Sequence, residues 1–130
     1  MQRLALVTLV VNDYDEAIDY YIRVLGFTLR EDTAMGEGKR WVVVSPSGSA
    51  GPGLLLAKAA NDRQRQAVGV QTGGRVFLFL HTDDFERDYA AYKQRGVSFV
   101  EQPRQERYGR VVVFTDLYGN RWDLVEPRVA

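Results

Sequence analysis

The chain carries one pattern twice. Asp13 and Asp84 stand 71 residues apart, and each precedes an aromatic residue, Tyr14 and Phe85. Tyr21 and Tyr92 keep the same spacing of 71, and Gly26 and Gly96 are 70 apart. Trp41-Val-Val-Val-Ser-Pro-Ser-Gly48 aligns with Val112-Val-Phe-Thr-Asp-Leu-Tyr-Gly119, again at 71. A spacing of 70 or 71 held across four landmarks marks a duplicated unit. Whatever fold suits one half must suit the other.

Each unit reads as strand, capped helix, glycine, then three strands. Leu4–Val11 is rich in Leu and Val and reads as a strand. Asp13 can cap a helix, with Glu16 three residues on in the capping-box position. Ala17, Ile18, Tyr21, Ile22 and Leu25 then form one apolar helical face, and Gly26 sits where a helix C-terminal glycine belongs. Phe27–Asp32, Lys39–Ser45 and Gly53–Ala57 are expected strands, with loops over Thr33–Gly38 and Ser49–Pro52. The second unit repeats this with a strand at Arg75–His81. A helix follows, capped by Asp83 or Asp84, with Phe85, Tyr89 and Tyr92 on one side. Strands are expected at Val97–Glu101, Arg110–Phe114 and Arg121–Glu126, with a polar loop over Pro103–Gly109. In the last of these, Trp122 and Leu124 should pack while Arg121 and Asp123 face the other way. Residues 60–74 are polar, end in Gly73-Gly74 and form the connection, with one helical turn near Arg63–Ala67. The division is therefore repeat one, 1–59; connection, 60–74; repeat two, 75–130. The fold class is α+β: two tandem βαβββ repeats forming a curved mixed sheet with a concave cleft.

Composition narrows the chemistry. The 17 basic and 17 acidic residues cancel, so there is no electrostatic footprint for nucleic acid. There is no cysteine, which removes disulfides, thiolate nucleophiles and thiolate metal sites together. The lone His81 excludes a multi-histidine metal site within one chain. The apolar start, Met1–Val11, is too short to span a membrane and reads as a strand and not a signal peptide. A cytoplasmic protein is expected. Neither a glycine-rich phosphate loop nor a nucleophile elbow is present.

The duplicated βαβββ order resembles the vicinal oxygen chelate superfamily, which includes glyoxalase I, bleomycin-resistance proteins and extradiol dioxygenases. The motifs that carry the resemblance are Val7-Thr-Leu-Val-Val-Asn-Asp13 leading into Ala17–Tyr21, and Leu25-Gly-Phe27. In the second unit they are Thr82-Asp-Asp84, Arg95-Gly-Val97 and Asp116-Leu-Tyr-Gly-Asn-Arg-Trp-Asp-Leu124. The resemblance implies metal ligands on the first and last strand of each repeat. Those positions here are Leu6, Phe77, one residue among Leu54–Leu56, and Asp123. Only Asp123 can ligate a metal, and one carboxylate is a poor site for a divalent ion.

Candidate site residues follow. His81 is in phase with Phe77 and Phe79 on one strand and could serve as a general base, or stand at a strand end half in solvent. Asp123 could be a retained metal ligand, a base or an anchor for a cationic ligand, or a solvent-facing carboxylate. Phe77 and Phe79, with Thr8 and Leu6, would give an apolar wall with one hydroxyl. Arg40 and Trp41 begin a strand, so one of them must face the cleft, where an arginine could hold an anion. Tyr108 could close over a ligand. The expected function is binding of a small apolar or aromatic molecule without a metal, by a homodimer. The alternatives are a metal-dependent lyase, isomerase or dioxygenase using one divalent metal, and a non-catalytic dimeric accessory domain.

Overall fold

The computed structural model describes residues 1–48 and 50–129. Ser49, in the expected loop 49–52, and Ala130, at the end of the second repeat, lie outside the described residues. The chain folds as two units, Met1–Val68 and Gly69 onward.

In the first unit, β1 (Leu6–Val11) runs parallel to β4 (Gly53–Lys58). β3 (Lys39–Ser45) and β2 (Thr28–Gly36) complete a sheet of order β1-β4-β3-β2. The helix α1 (Tyr14–Asp19) forms where expected, because the Asp13 carboxylate accepts the Glu16 N–H at 2.8 Å. The chain continues as a π-helical turn, Tyr20–Val24, in which the Leu25 N–H reaches the Tyr20 carbonyl. That turn alters the inner face expected from a 3.6-residue period. Ala17, Tyr21 and Leu25 are buried, Ile18 and Ile22 only half-buried, and Tyr14 and Val24 are buried as well. Gly26, at φ 74°, lets the Phe27 N–H return to the Tyr21 carbonyl and end the turn. α1 packs on β3 and β4, whose Val42, Val44 and Leu56 are fully buried. A short helix α2 (Asp62–Ala67), capped by Asn61, forms in the connection.

In the second unit, β5 (Val76–His81) runs parallel to β9 (Arg121–Pro127), and β8 (Gly109–Thr115) and β6 (Ser98–Phe99) follow. A further strand, β7 (Arg104–Glu106), pairs with β8. The helix α3 (Phe85–Gln94) is capped by Asp84, not Asp83. Its N-terminus also receives the Glu126 carboxylate, which accepts the Phe85 N–H at 2.8 Å. The core is aromatic: Phe114 stacks on Trp122 at 5.9 Å and meets Tyr92 edge-on at 5.4 Å.

Two loop expectations are corrected. Thr33–Gly36 extends β2, and the turn to β3 is Glu37-Gly38, both at positive φ (57° and 80°), the geometry of a tight hairpin. β2 is exposed along all its residues, so no hydrophobic alternation marks it. Within Pro103–Gly109, Arg104–Glu106 is a strand whose polar side chains pair with one another. The strand expected at Val97–Glu101 shortens to Ser98–Phe99.

Candidate functional site

Each sheet has one face under its helix and one opposite. In the first sheet, Arg40 lies on the helix side. Its guanidinium pairs with Asp15 (2.9 Å) and Asp32 (2.7 Å), sits over the Tyr14 ring, and its backbone N–H donates to the Tyr14 hydroxyl. The pair with Asp32 holds that carboxyl below its ordinary range. The anion-holding role expected for Arg40 is therefore filled by the protein's own carboxylates. Strand alternation puts Trp41 and Val43 on the opposite face. There, with Leu6, Arg3, Arg30 and Glu31, they line a cavity of about 280 Å³. Thr8 is exposed on β1, in register with Leu55.

In the second sheet, Asp123 is the chemically unusual residue. It is 4% exposed, and its Oδ1 has no hydrogen-bond partner. Burial pushes its carboxyl above the ordinary carboxylate range; Arg104 opposes the shift and Glu101 adds to it. Arg104 is itself committed, pairing with Glu101 at 2.9 Å and Glu106 at 2.8 Å and bonding the Tyr108 side chain. Tyr108 is half exposed and is thus tied to Arg104. The expectation that Trp122 and Leu124 pack while Asp123 lies on the other side holds in alternation, yet β9 is buried on both faces from Trp122 to Val125.

Asp123 is in register with Phe79 on one side and Val113 on the other. Phe79 is 63% exposed. His81, in register with Val125, is exposed at the end of β5. Phe77 sits at a register shift between Val76 and Leu78 and turns edge-on to Trp122 at 6.1 Å, which ties its ring to the core aromatics. Thr8–Leu55–Val43 in the first sheet and Phe79–Asp123–Val113 in the second are the same cross-strand triple. The partner of Asp123 in the first repeat is thus Leu55, an alkyl side chain. Among the described residues no three His, Cys, Asp or Glu side chains gather in a metal-holding group. The donors at the four positions implied by the resemblance — Leu6, Phe77, Leu55 and Asp123 — do not fit a divalent ion.

Sequence reasoning missed Arg3, Arg30, Glu101 and Arg104. Arg30 lies at a β-bulge and Arg104 in a strand read as loop, and neither has a periodicity signal.

Residues 3–124 match the family model described as the Glyoxalase/Bleomycin resistance protein/Dioxygenase superfamily, and the chain belongs to that superfamily. It is 56% identical over 126 residues to an uncharacterised protein of Shewanella frigidimarina (strain NCIMB 400), covering 96% of this chain and 93% of that one. Among solved structures it resembles UcmS2, with TM-score 0.84 and 30% identity over 97% of this chain and 98% of that chain. It also resembles TnmS3, an antibiotic binding protein from Streptomyces sp. CB03234, with TM-score 0.81 and 30% identity, covering 98% of both chains. No helix among the described residues is long and apolar enough to cross a membrane.

Proposed function

We propose that this protein binds a small apolar or aromatic molecule without a metal, using Asp123 as the polar anchor. The observation that carries this reading is the buried, unpartnered Oδ1 of Asp123 in register with the exposed ring of Phe79. A buried carboxylate oxygen without a donor is costly, about 1–3 kcal/mol, and a ligand N–H or O–H would satisfy it. An exposed aromatic ring nearby offers area to a flat ligand. Likeness to an antibiotic binding protein supports a small-molecule ligand. The donor set argues against the metal-dependent lyase, isomerase or dioxygenase alternative, since Leu6, Phe77 and Leu55 offer no oxygen or nitrogen.

A homodimer belongs to the same reading. β2, nine residues long, ends its sheet with an exposed edge that a second chain could cover.

The test is calorimetric titration of a flat aromatic amine, 2-naphthylmethylamine, into the protein and into Asp123→Asn. Binding to the wild type that weakens at least tenfold in the variant is expected. Equal affinity for both would remove Asp123 from the site, and no binding of any aromatic probe would overturn the reading.

A further inference from the structure

We infer that the Trp41 cavity of the first unit is a second binding position, built for a planar aromatic carboxylate. The inference rests on the reading of the chain as a small-molecule binder, and extends it to a different unit and the opposite charge.

Four features converge there. Trp41, with Leu6 and Val43, supplies an apolar wall of a cavity of about 280 Å³. Arg3 and Arg30 both reach this cavity, and neither has a carboxylate partner among the described residues. The one acid in the lining, Glu31, accepts the Thr33 hydroxyl at 3.0 Å, and two guanidinium groups outweigh it.

The backbone is shaped to deliver Arg30. The β2–β3 register shifts between Leu29 and Glu31, so the bulge brings the consecutive residues Arg30 and Glu31 to the same cavity. In a regular strand they would point to opposite faces. The guanidinium then lies against β4 at Gly53. A Cβ there would stand 3.2 Å from Arg30 Nη1 and 2.7 Å from Val43 Cγ1, so a residue without a side chain lets Arg30 settle. A guanidinium fork takes a carboxylate by two parallel N–H···O bonds, and an indole face takes the flat ring attached to it. Net charge of the chain is zero, so the attraction is local to this cavity.

The experiment titrates 2-naphthoate and its neutral analogue 2-naphthylmethanol into wild type, Arg30→Gln, Gly53→Ala and Asp123→Asn. Wild type should bind naphthoate at least tenfold more tightly than the alcohol, with quenching of Trp41 fluorescence that is lost in Trp41→Phe. Arg30→Gln should erase the preference, and Gly53→Ala should reduce it by displacing the guanidinium. Arg30 is exposed, so its variant keeps the test valid even if Gly53→Ala does not fold. Asp123→Asn should leave the preference intact. No preference for the carboxylate in wild type, or a preference that survives Arg30→Gln, overturns the inference. If that happens while 2-naphthylmethylamine still depends on Asp123, the anchor reading stands and this one alone falls. If naphthoate binds as expected and the amine does not, the Asp123 anchor falls and the Trp41 site stands.

Discussion

Phe79 and Asp123 are partners in the β5–β9 register, yet Phe79 is 63% exposed and Asp123 only 4%. An apolar ring in solvent beside a carboxylate withheld from it is the reverse of ordinary partition. Such an inversion costs stability in the unliganded protein, and it is expected where binding recovers the cost.

The cost should show as a pH dependence. The Asp123 carboxyl has a raised pKa in the folded chain, so the native state keeps a proton that the unfolded chain releases. Stability therefore falls as pH climbs from the ordinary carboxylate value through the folded one, and is level above it. Asp19, Asp32 and Asp83 have lowered values and act in the opposite sense, so the difference between wild type and Asp123→Asn is the informative quantity. The variant should be more stable at pH 7 by about 1 kcal/mol, with the gain shrinking toward pH 4. Urea unfolding at a series of pH values measures it, and a constant difference would contradict the burial of charge.

Arg40 should prove structural. Its guanidinium is shared between Asp15 and Asp32 on the helix side of the sheet. Arg40→Gln should lower the melting temperature modestly, by an amount that salt diminishes, and should leave the affinity for 2-naphthoate unchanged. A loss of ligand affinity equal to that in Arg30→Gln would reassign the anion site.

Sequence legibility followed the kind of signal each element uses. Asp13 was readable as a cap, and the second cap as Asp83 or Asp84, because a cap is a local contact between a side chain and an N–H three residues on. The tandem units were readable because the spacing repeats. For Arg40 and Trp41, alternation says that they face opposite ways, but not which way. Asp15, Asp32 and Tyr14 decide that, and they come from other elements. Arg30 and Gly53 were not readable as a pair, since a bulge is a property of two strands and the close approach belongs to a third. β7 was hidden because Arg104 and Glu106 are held by ion pairs and not by apolar burial. Leu55 as the counterpart of Asp123 needed the cross-strand register, because the family resemblance implies a position among Leu54–Leu56 without choosing one.

Gly69 and Gly73 offer a controlled comparison of contact against conformation. Both have positive φ, 81° and 68°. A Cβ at Gly69 would fall 2.0 Å from the Tyr118 carbonyl oxygen, whereas one at Gly73 meets nothing within 4 Å. Gly73→Ala should cost only the left-handed penalty, about 1–2 kcal/mol. Gly69→Ala adds a backbone collision and should cost at least about 2 kcal/mol more. Chemical denaturation of the two variants ranks them, and equal losses would mean that the Tyr118 turn yields freely.

Asp116 is the hub of that turn and carries the last prediction. It is 5% exposed, and its Oδ1 accepts the N–H groups of Tyr118, Gly119 and Asn120 at 2.9–3.0 Å. Its Oδ2 accepts the Asn120 amide at 3.0 Å, and the Asn120 side-chain oxygen in turn accepts the Gln71 N–H at 3.2 Å. One carboxylate thus holds the β8–β9 turn and, through Asn120, the backbone at Gln71. Asp116→Ala strands donors that sit in a buried turn, and each buried donor left without a partner costs about 1–3 kcal/mol. A total loss of about 3 kcal/mol or more is expected. Asp116→Asn keeps an oxygen where three backbone N–H groups converge, but sets an amide nitrogen against that of Asn120. Its loss should be intermediate, about 1–2 kcal/mol. Adding Asn120→Asp to Asp116→Asn reverses donor and acceptor at that contact but leaves a carboxylate oxygen facing the Gln71 N–H. The double variant should therefore recover part of the loss. Urea unfolding of the three variants tests the order, and an alanine variant as stable as the asparagine one would show that the turn is held by the strands alone.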